Sequence, residues 1–321
     1  MAGKIAAQPM VANQKNLILL INVALMVANQ PKNKIFDKQV PTQKVGLGLR
    51  QNFIKKIIQN PKEISQKIGW LEAHSENHYA NGGPAIKALE KIRQDFPISL
   101  HSVGNSLGSA SGLDLDHLQK LKNLINIIEP FLVSDHISWG RVENNHMNDL
   151  LPIPYNSEAL KIICKNIEIM QDFLQREILV ENPSAYISFQ NDEMKEDEFI
   201  NQITQKTGCK LLLDINNIFV SSHNNLSFDP EQYLQNIDQS SVAEIHLAGH
   251  FKSNIYSKSL NRNLLIDTHN DVVCDEVWNL YKIANRKFLN IPTLIEWDQD
   301  FPEFNILLDE VEKAKNIAKT S

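Results

Sequence analysis

The chain has 321 residues, 42% hydrophobic and 22% charged, with a formal net charge of −6. That supplies a full core at a length one α/β barrel commonly fills, and the acidic balance gives no support to a nucleic-acid partner. The three cysteines, Cys164, Cys209 and Cys274, form no CxxC pair, which excludes a disulfide framework and a thiolate metal site and points to a reducing, cytoplasmic setting.

Residues 1–44 read as an N-terminal extension and linker. Leu17 to Ala28 (LILLINVALMVA) is apolar apart from Asn22, but falls short of the roughly 20 residues of a membrane-spanning helix. No membrane association is expected. From Val45 short apolar, β-branched runs alternate with longer amphipathic stretches. Strands are expected at 45–50, 69–76, 97–103, 131–138, 177–182, 210–216, 242–248 and 292–297. Helices are expected at 51–59, 84–94, 115–128, 158–174, 196–207, 229–237, 274–284 and 304–318. Near-continuous apolar strands signal a parallel sheet covered on both faces, and eight βα units in succession fit a closed barrel. The expected architecture is a TIM (β/α)₈ barrel over 45–321, of the xylose isomerase-like kind.

In such a barrel the chemistry lies at the C-terminal ends of the strands. Strand two ends in Glu72, His74, Glu76 and His78, strand three in His101, and strand four in Asp135 and His136. Strand five ends in Glu181 and Asn182, strand six in Asp214, Asn216 and Asn217, strand seven in Glu244 and His246, and strand eight in Glu296 and Asp298. Asp267 and His269 stand between strands seven and eight. Any one of these residues is more often a cap, a rim charge or a hydrogen-bonded structural group. Together they converge on one axis, where so many polar groups would be costly to desolvate without cations to compensate them. Imidazole with carboxylate suits zinc, iron or manganese, and several carboxylates allow bridging in a multinuclear cluster. Gly104 to Gly108 lacks the features of a phosphate-binding loop and reads as a tight turn beside the site. Asn148 to Tyr155 reads as a loop above strand four that either contacts substrate or merely connects. The cysteines read as core residues.

The runs WLEAHSENHY, LHSVGNSLGS, LVSDHISWG, NDLLPIPY, ILVENPSAY, LLLDINNIFV, EIHLAGH, LLIDTH and TLIEWD, in this order over about residues 45–300, resemble the multinuclear non-haem iron-dependent oxidative enzymes. The resemblance implies a TIM barrel holding two or three iron ions in mixed Fe(II)/Fe(III) states, with dioxygen as co-substrate. It implies a cysteine-containing, ribosomally made precursor peptide as substrate and a separate partner protein that recognises its leader. Carried over position by position, it places one iron on His101, His136 and Glu181. Glu181 bridges to a second iron on Asp214, His246 and Glu296. Asp267 and His269 serve a third position, with Asn217 nearby. Where relatives carry Asn-His-Gly after strand six, this chain reads His223, Asn224, Asn225, Leu226, so His223 is the candidate to serve the third position from a shifted place. The rival readings are a zinc phosphodiesterase of the endonuclease IV type, a manganese or magnesium sugar isomerase, and a binding module without catalysis.

Overall fold

The computed structural model describes residues 41, 44–80, 82–143 and 145–319, with Asn148 described by its backbone alone. Nearly all of the expected 1–44 extension, including the apolar run from Leu17, lies outside the described residues. In chain order the elements are β1 (Val45–Gly48), α1 (Gln51–Gln59), α2 (Pro61–Lys67), β2 (Leu71–His74), a 3-10 turn (Ser75–His78) and α3 (Pro84–Arg93). Next come β3 (Ile98–His101), α4 (Leu115–Ile128), β4 (Leu132–His136), β5 (Trp139–Val142), β6 (Asn145–Leu151), α5 (Ser157–Leu174), β7 (Leu179–Glu181) and α6 (Glu196–Thr207). The chain continues through β8 (Lys210–Asp214), α7 (Ile215–Asn224), α8 (Pro230–Asn236), β9 (Val242–Leu247), β10 (Phe251–Ser257), β11 (Arg262–Ile266), α9 (Asp275–Lys287), β12 (Thr293–Ile295) and α10 (Phe304–Lys319).

Eight parallel strands close into a barrel in the order β1-β12-β9-β8-β7-β4-β3-β2, as the alternation of apolar strands and amphipathic helices predicts. Two antiparallel hairpins, β5–β6 and β10–β11, stand apart from it. Both emerge where plain connections were expected, and β6 runs through the segment read as a loop from Asn148. The strands are shorter than expected at their C-terminal ends, because the polar residues there leave the ladder to face the mouth or cap a helix.

The main core lies between barrel and helices, built from fully buried side chains such as Leu89, Leu121, Ile163, Phe199, Ile245 and Tyr281. At about 2 kcal/mol per buried large aliphatic side chain, this layer outweighs each helix cap at about 1 kcal/mol. A separate cluster of Trp70, Phe131 and Leu294 lies near the strand starts. Gly46 makes room for it, since a Cβ there would sit 2.4 Å from the Trp70 ring. Cys164 and Cys209 are buried free thiols and Cys274 a half-buried one, consistent with core roles. Among the described residues no helix is long and apolar enough to cross a membrane.

One buried carboxylate ties α6 to α8 and to the segment that leads into α5. Glu196, in the first turn of α6, accepts hydrogen bonds from the Tyr155 hydroxyl at 2.8 Å and the Tyr233 hydroxyl at 2.9 Å. Burial pushes it up to about 7; the two tyrosine bonds pull it back, and Asp197 adds to the rise. A carboxyl whose folded value lies above its unfolded value of about 4.3 stabilises the fold fully below that value, and loses the contribution as pH rises through 7. The denaturant midpoint is therefore expected to fall between pH 5 and 8, by roughly 3 kcal/mol in unfolding free energy. In Glu196→Gln that slope should flatten. A variant whose profile parallels the wild type would show that Glu196 does not titrate in this window.

Candidate metal centre

The parallel register puts the predicted residues on neighbouring strand ends. His74 pairs with His101 across β2 and β3, His136 with Glu181 across β4 and β7, and Asp214 with His246 across β8 and β9. All but His74 have side chains that are at least nearly buried, and Glu296 at the end of β12 is 3% exposed.

Among the described residues, three-donor sets close enough to share an ion include His101–His136–Glu181, Glu181–Asp214–His246 and Asp214–His269–Glu296, with ligand atoms within 4.8 Å of one another; Glu72–His246–Glu296 is a further set that shares two of these ligands. The first shares Glu181 with the second, and the second shares Asp214 with the third. Nε2 of His101 and Nε2 of His136 each lie 3.2 Å from Glu181 Oε2. The His136 ring is aimed from behind, with its Nδ1–H donating to the Ser102 carbonyl at 3.2 Å. His101 Nδ1 is paired with the Ser134 hydroxyl at 2.7 Å. Such outer partners fix ring orientation and leave Nε2 for a ligand.

Asp214 does two things. One oxygen caps α7 by accepting from the Asn217 N–H at 2.6 Å, while Oδ2 is buried without a hydrogen-bond partner. Asn217 donates its Nδ2–H to the Asn182 carbonyl at 3.0 Å and to Glu181 at 3.3 Å, leaving its own Oδ1 unpartnered. His246 Nδ1 lies 2.9 Å from Glu296 Oε2, and its Nε2 lies 3.4 Å from Glu72 Oε1. His269, held in the left-handed region at φ 49°, places Nε2 2.7 Å from Asp267 Oδ1 and Nδ1 3.2 Å from Glu296 Oε2.

Asp267 joins none of the three-donor sets. It accepts from Asn216 at 2.9 Å and from the Ser184 hydroxyl at 3.2 Å, and so stands behind His269. His223 does not reach the third position: its Nε2–H donates to the Asn263 carbonyl at 3.0 Å, because α7 carries it outward against β11. Asp135 and Glu76, though on strand ends, serve the loop at Gly104. Asp135 accepts from Asn105 and from the His136 N–H, while Glu76 accepts from the Val103 and Gly104 N–H groups. That loop turns beside the cluster as expected. Arg50, the last residue of the first expected strand, was not among the candidates. It lies 3.2 Å from Glu296 and pairs with Asp298 and His74. The only signal for it in the sequence is its position at a strand end.

The electrostatics show what the cluster lacks. Burial alone would lower His101, but its hydrogen bond to Glu181 and the charges of Glu72, Glu181 and Glu296 raise it to about 10. Burial would raise Glu181, yet His136, His101 and His246 hold it at about 2. Asp214 is pushed well up by burial, against the pull of His269, with Glu181 and Asp267 adding repulsion. Burial and the neighbouring Glu72 carry Glu244 up to about 8. Protons on these groups thus offset the crowding of carboxylates. Buried atoms without good hydrogen bonds include Glu181 Oε2, Asp214 Oδ2, Asn217 Oδ1, His246 Nε2 and His269 Nε2. Orphaned oxygen and imidazole donors meeting at one mouth are the donor chemistry of a bound cation, and a metal ion would displace the protons.

Above the cluster opens a cleft of about 440 Å³. His101, His136, Glu181 and His269 reach its floor, and Val103, Leu150, Pro183, Tyr186 and Ile266 give it an apolar rim. Asp149, Leu150 and Pro152, from the segment expected over strand four, line it as well.

Solved structures share the fold. They include 3-keto-D-glucoside 4-epimerase from E. coli (TM-score 0.53, 10% identity, 86% of this chain and 100% of that one). A D-psicose 3-epimerase from Clostridium cellulolyticum gives a TM-score of 0.56 at 9% identity over 86% of this chain and 98% of that one. A xylose isomerase-like TIM barrel protein from Mycobacterium smegmatis in complex with magnesium gives 0.55 at 8% identity, covering 87% and 97%. At such identities the likeness establishes the barrel and nothing about the reaction. Sequence relatives are nearer. A UPF0276 protein of Psychromonas ingrahamii is 42% identical over 284 residues, 88% of this chain and 97% of the relative. The UPF0276 protein VP3015 of Vibrio parahaemolyticus is 44% identical over 271 residues, 84% and 91%. Residues 44–319 match the family model of the RiPP precursor modification enzyme MbnB/TglH/ChrH, and the chain belongs to that family.

Proposed function

We propose that this protein oxidatively modifies cysteine residues of a ribosomally made precursor peptide in the cytoplasm, using dioxygen and two or three iron ions. The observation that carries the reading is the set of orphaned imidazole and carboxylate atoms at the mouth of a barrel from this family. His101, His136 and Glu181 would hold one ion. Glu181, Asp214, His246 and Glu296 would hold a second, and His269 a third together with Asp214 and Glu296, with Asp267 backing His269 and Asn217 nearby. Iron, when bound, supplies one-electron chemistry with dioxygen next to a substrate thiolate.

The chain's own residues set the geometry and the medium. Ser102 and Ser134 orient the two histidines of the first set. Buried ligands keep bulk water from the floor, where charges act at low dielectric. The apolar rim of Val103, Leu150, Pro183, Tyr186 and Ile266 suits an extended peptide segment carrying cysteine. A leader-recognising partner protein would deliver that segment.

Two measurements test this. Anaerobically purified protein should contain at least two iron ions per chain. Co-expression with a cysteine-containing peptide encoded beside the gene, together with the partner protein, should change that peptide's mass. A protein holding zinc and no iron would overturn the iron chemistry. Full iron with an unchanged peptide mass would favour a binding role.

A further inference from the structure

One more donor set sits beside those already described. His74, Glu296 and Asp298 bring ligand atoms within the same 4.8 Å of one another. It differs from its neighbours in one respect: a fixed cation already occupies it. The Arg50 guanidinium donates Nε–H to Asp298 Oδ1 at 3.0 Å and Nη2–H to Glu296 Oε1 at 3.2 Å. Nη2 also contacts Asp298 Oδ1 and lies 3.2 Å from His74 Nε2. No atom of His74, Glu296 or Asp298 is among the buried unpartnered ones, whereas Glu181, Asp214, His246 and His269 each contribute one.

We propose that Arg50 is a resident cation that fills a metal-like position between His74, Glu296 and Asp298, and thereby limits how many ions the barrel mouth holds. The inference rests on the multinuclear reading of the site. Three features support it. The guanidinium keeps its proton in any protein, so a metal cannot take this place by proton release as it can at a histidine. The place is built for it, because Arg50 is 7% exposed and folds back over Gly48, where a Cβ would meet the guanidinium at 3.1 Å. The pairing also divides Glu296 between two tasks. Oε1 faces Arg50, with His74 3.7 Å away, while Oε2 faces His246 at 2.9 Å and His269 at 3.2 Å. Arg50 thus leaves Glu296 a single oxygen for the metals, and it is a positioning residue in the sense that it acts on the site through Glu296.

The test counts ions. Wild type, Arg50→Met, Arg50→Met/Asp298→Asn and Asp298→Asn are each loaded with Mn(II), and separately with Fe(II) under anaerobic conditions, then desalted and analysed by mass spectrometry for metal per chain. Arg50→Met should hold one ion more than wild type, because the buried Glu296 and the half-buried Asp298 lose their counter-charge and His74 stands free beside them as a third donor. The double variant should return to the wild-type count. Asp298→Asn alone should keep it, since Oδ1 serves the guanidinium and the amide oxygen of Asn can still accept from His269 Nδ1, which lies 3.2 Å from Asp298 Oδ2. An Arg50→Met count equal to wild type overturns the inference, and so does an extra ion that survives Asp298→Asn. Should Arg50→Met fail to fold, Arg50→Gln, which removes the charge but keeps a hydrogen-bonding side chain, decides by the same count: an extra ion supports the inference, and the wild-type count overturns it. A wild type that takes up neither metal would remove the multinuclear reading itself, a failure distinct from equal counts.

Discussion

Glu181→Gln is expected to empty two of the three metal positions at once. Glu181 is the carboxylate common to the His101–His136 and Asp214–His246 sets, and the amide cannot bridge two cations. Removing an outer-shell partner of a metal ligand typically costs 10- to 100-fold in affinity; losing a bridging ligand should exceed about 100-fold at both positions. Metal content by mass spectrometry should fall to at most one ion per chain, and peptide modification should drop below detection. Stability supplies a readout independent of turnover. A ligand present at about 100 times its dissociation constant stabilises the native state by about 3 kcal/mol, which for a domain this size raises Tm by about 5–10 °C. Wild type should show that rise on Fe(II) or Mn(II) addition, and Glu181→Gln should lose most of it. The substitution keeps the side-chain volume but removes the charge that pairs with His101 and His136, so the metal-free variant should start from a lower Tm and the comparison is of the rise on metal addition. Full metal occupancy in the variant would sink the assignment of Glu181 as a bridge.

Much of this arrangement is legible in the sequence because two simple regularities meet. Apolar runs mark the strands, and the barrel's topology sends the residue after each run to one mouth. His101, His136, Glu181, Asp214, His246 and Glu296 need nothing more than that to be grouped. The harder parts have physical reasons. Helix α7 begins at Ile215 with Asn, Ile, Phe and Val, residues of modest helix propensity whose pattern extends the preceding strand. What ends the strand is Asp214, whose carboxylate caps the helix. A site residue there also settles local structure, and the sequence reads only as the first. The hairpins carry no Asn-Gly or Asp-Gly turn to announce them. Their trace is the long intervals between β4 and α5 and between β9 and α9, both far beyond the usual loop length. Arg50 was hidden by type: an arginine is a poor candidate among metal ligands, and its value here lies in being a cation itself. His223 was misplaced for the converse reason, since a histidine near the right strand end says nothing about which side of α7 it occupies.

The third position depends on a stretch of chain with no regular structure, and a glycine holds that stretch in place. Gly249 follows β9, and a Cβ there would lie 2.0 Å from the Asp271 carbonyl oxygen, 2.4 Å from its carbon and 2.8 Å from the Val272 oxygen. These are backbone atoms, so no rotamer change relieves the contact. Gly249→Ala must push residues 267–272 away from the barrel. His269 goes with them, although the Asp298 N–H donates to its carbonyl at 2.7 Å. His101, His136 and Glu181 lie on other strands and should stay in place. The expected result is a loss of at least about 3 kcal/mol of stability, seen as a Tm lower by roughly 5–10 °C, because overpacking against rigid backbone exceeds the usual cost in a yielding core. The metal count should fall by the ion that His269 holds while the others remain. Gly112→Ala is the matched control: its φ of 79° strains the substitution, but nothing lies within 4 Å. It should lower stability by about 1 kcal/mol and leave the metals untouched. If Gly249→Ala kept both the wild-type Tm and the full metal count, close packing of this segment would not be what carries His269 to the cluster. A lowered Tm with every ion retained would separate the two roles, leaving the glycine important for folding and the third position supported from elsewhere.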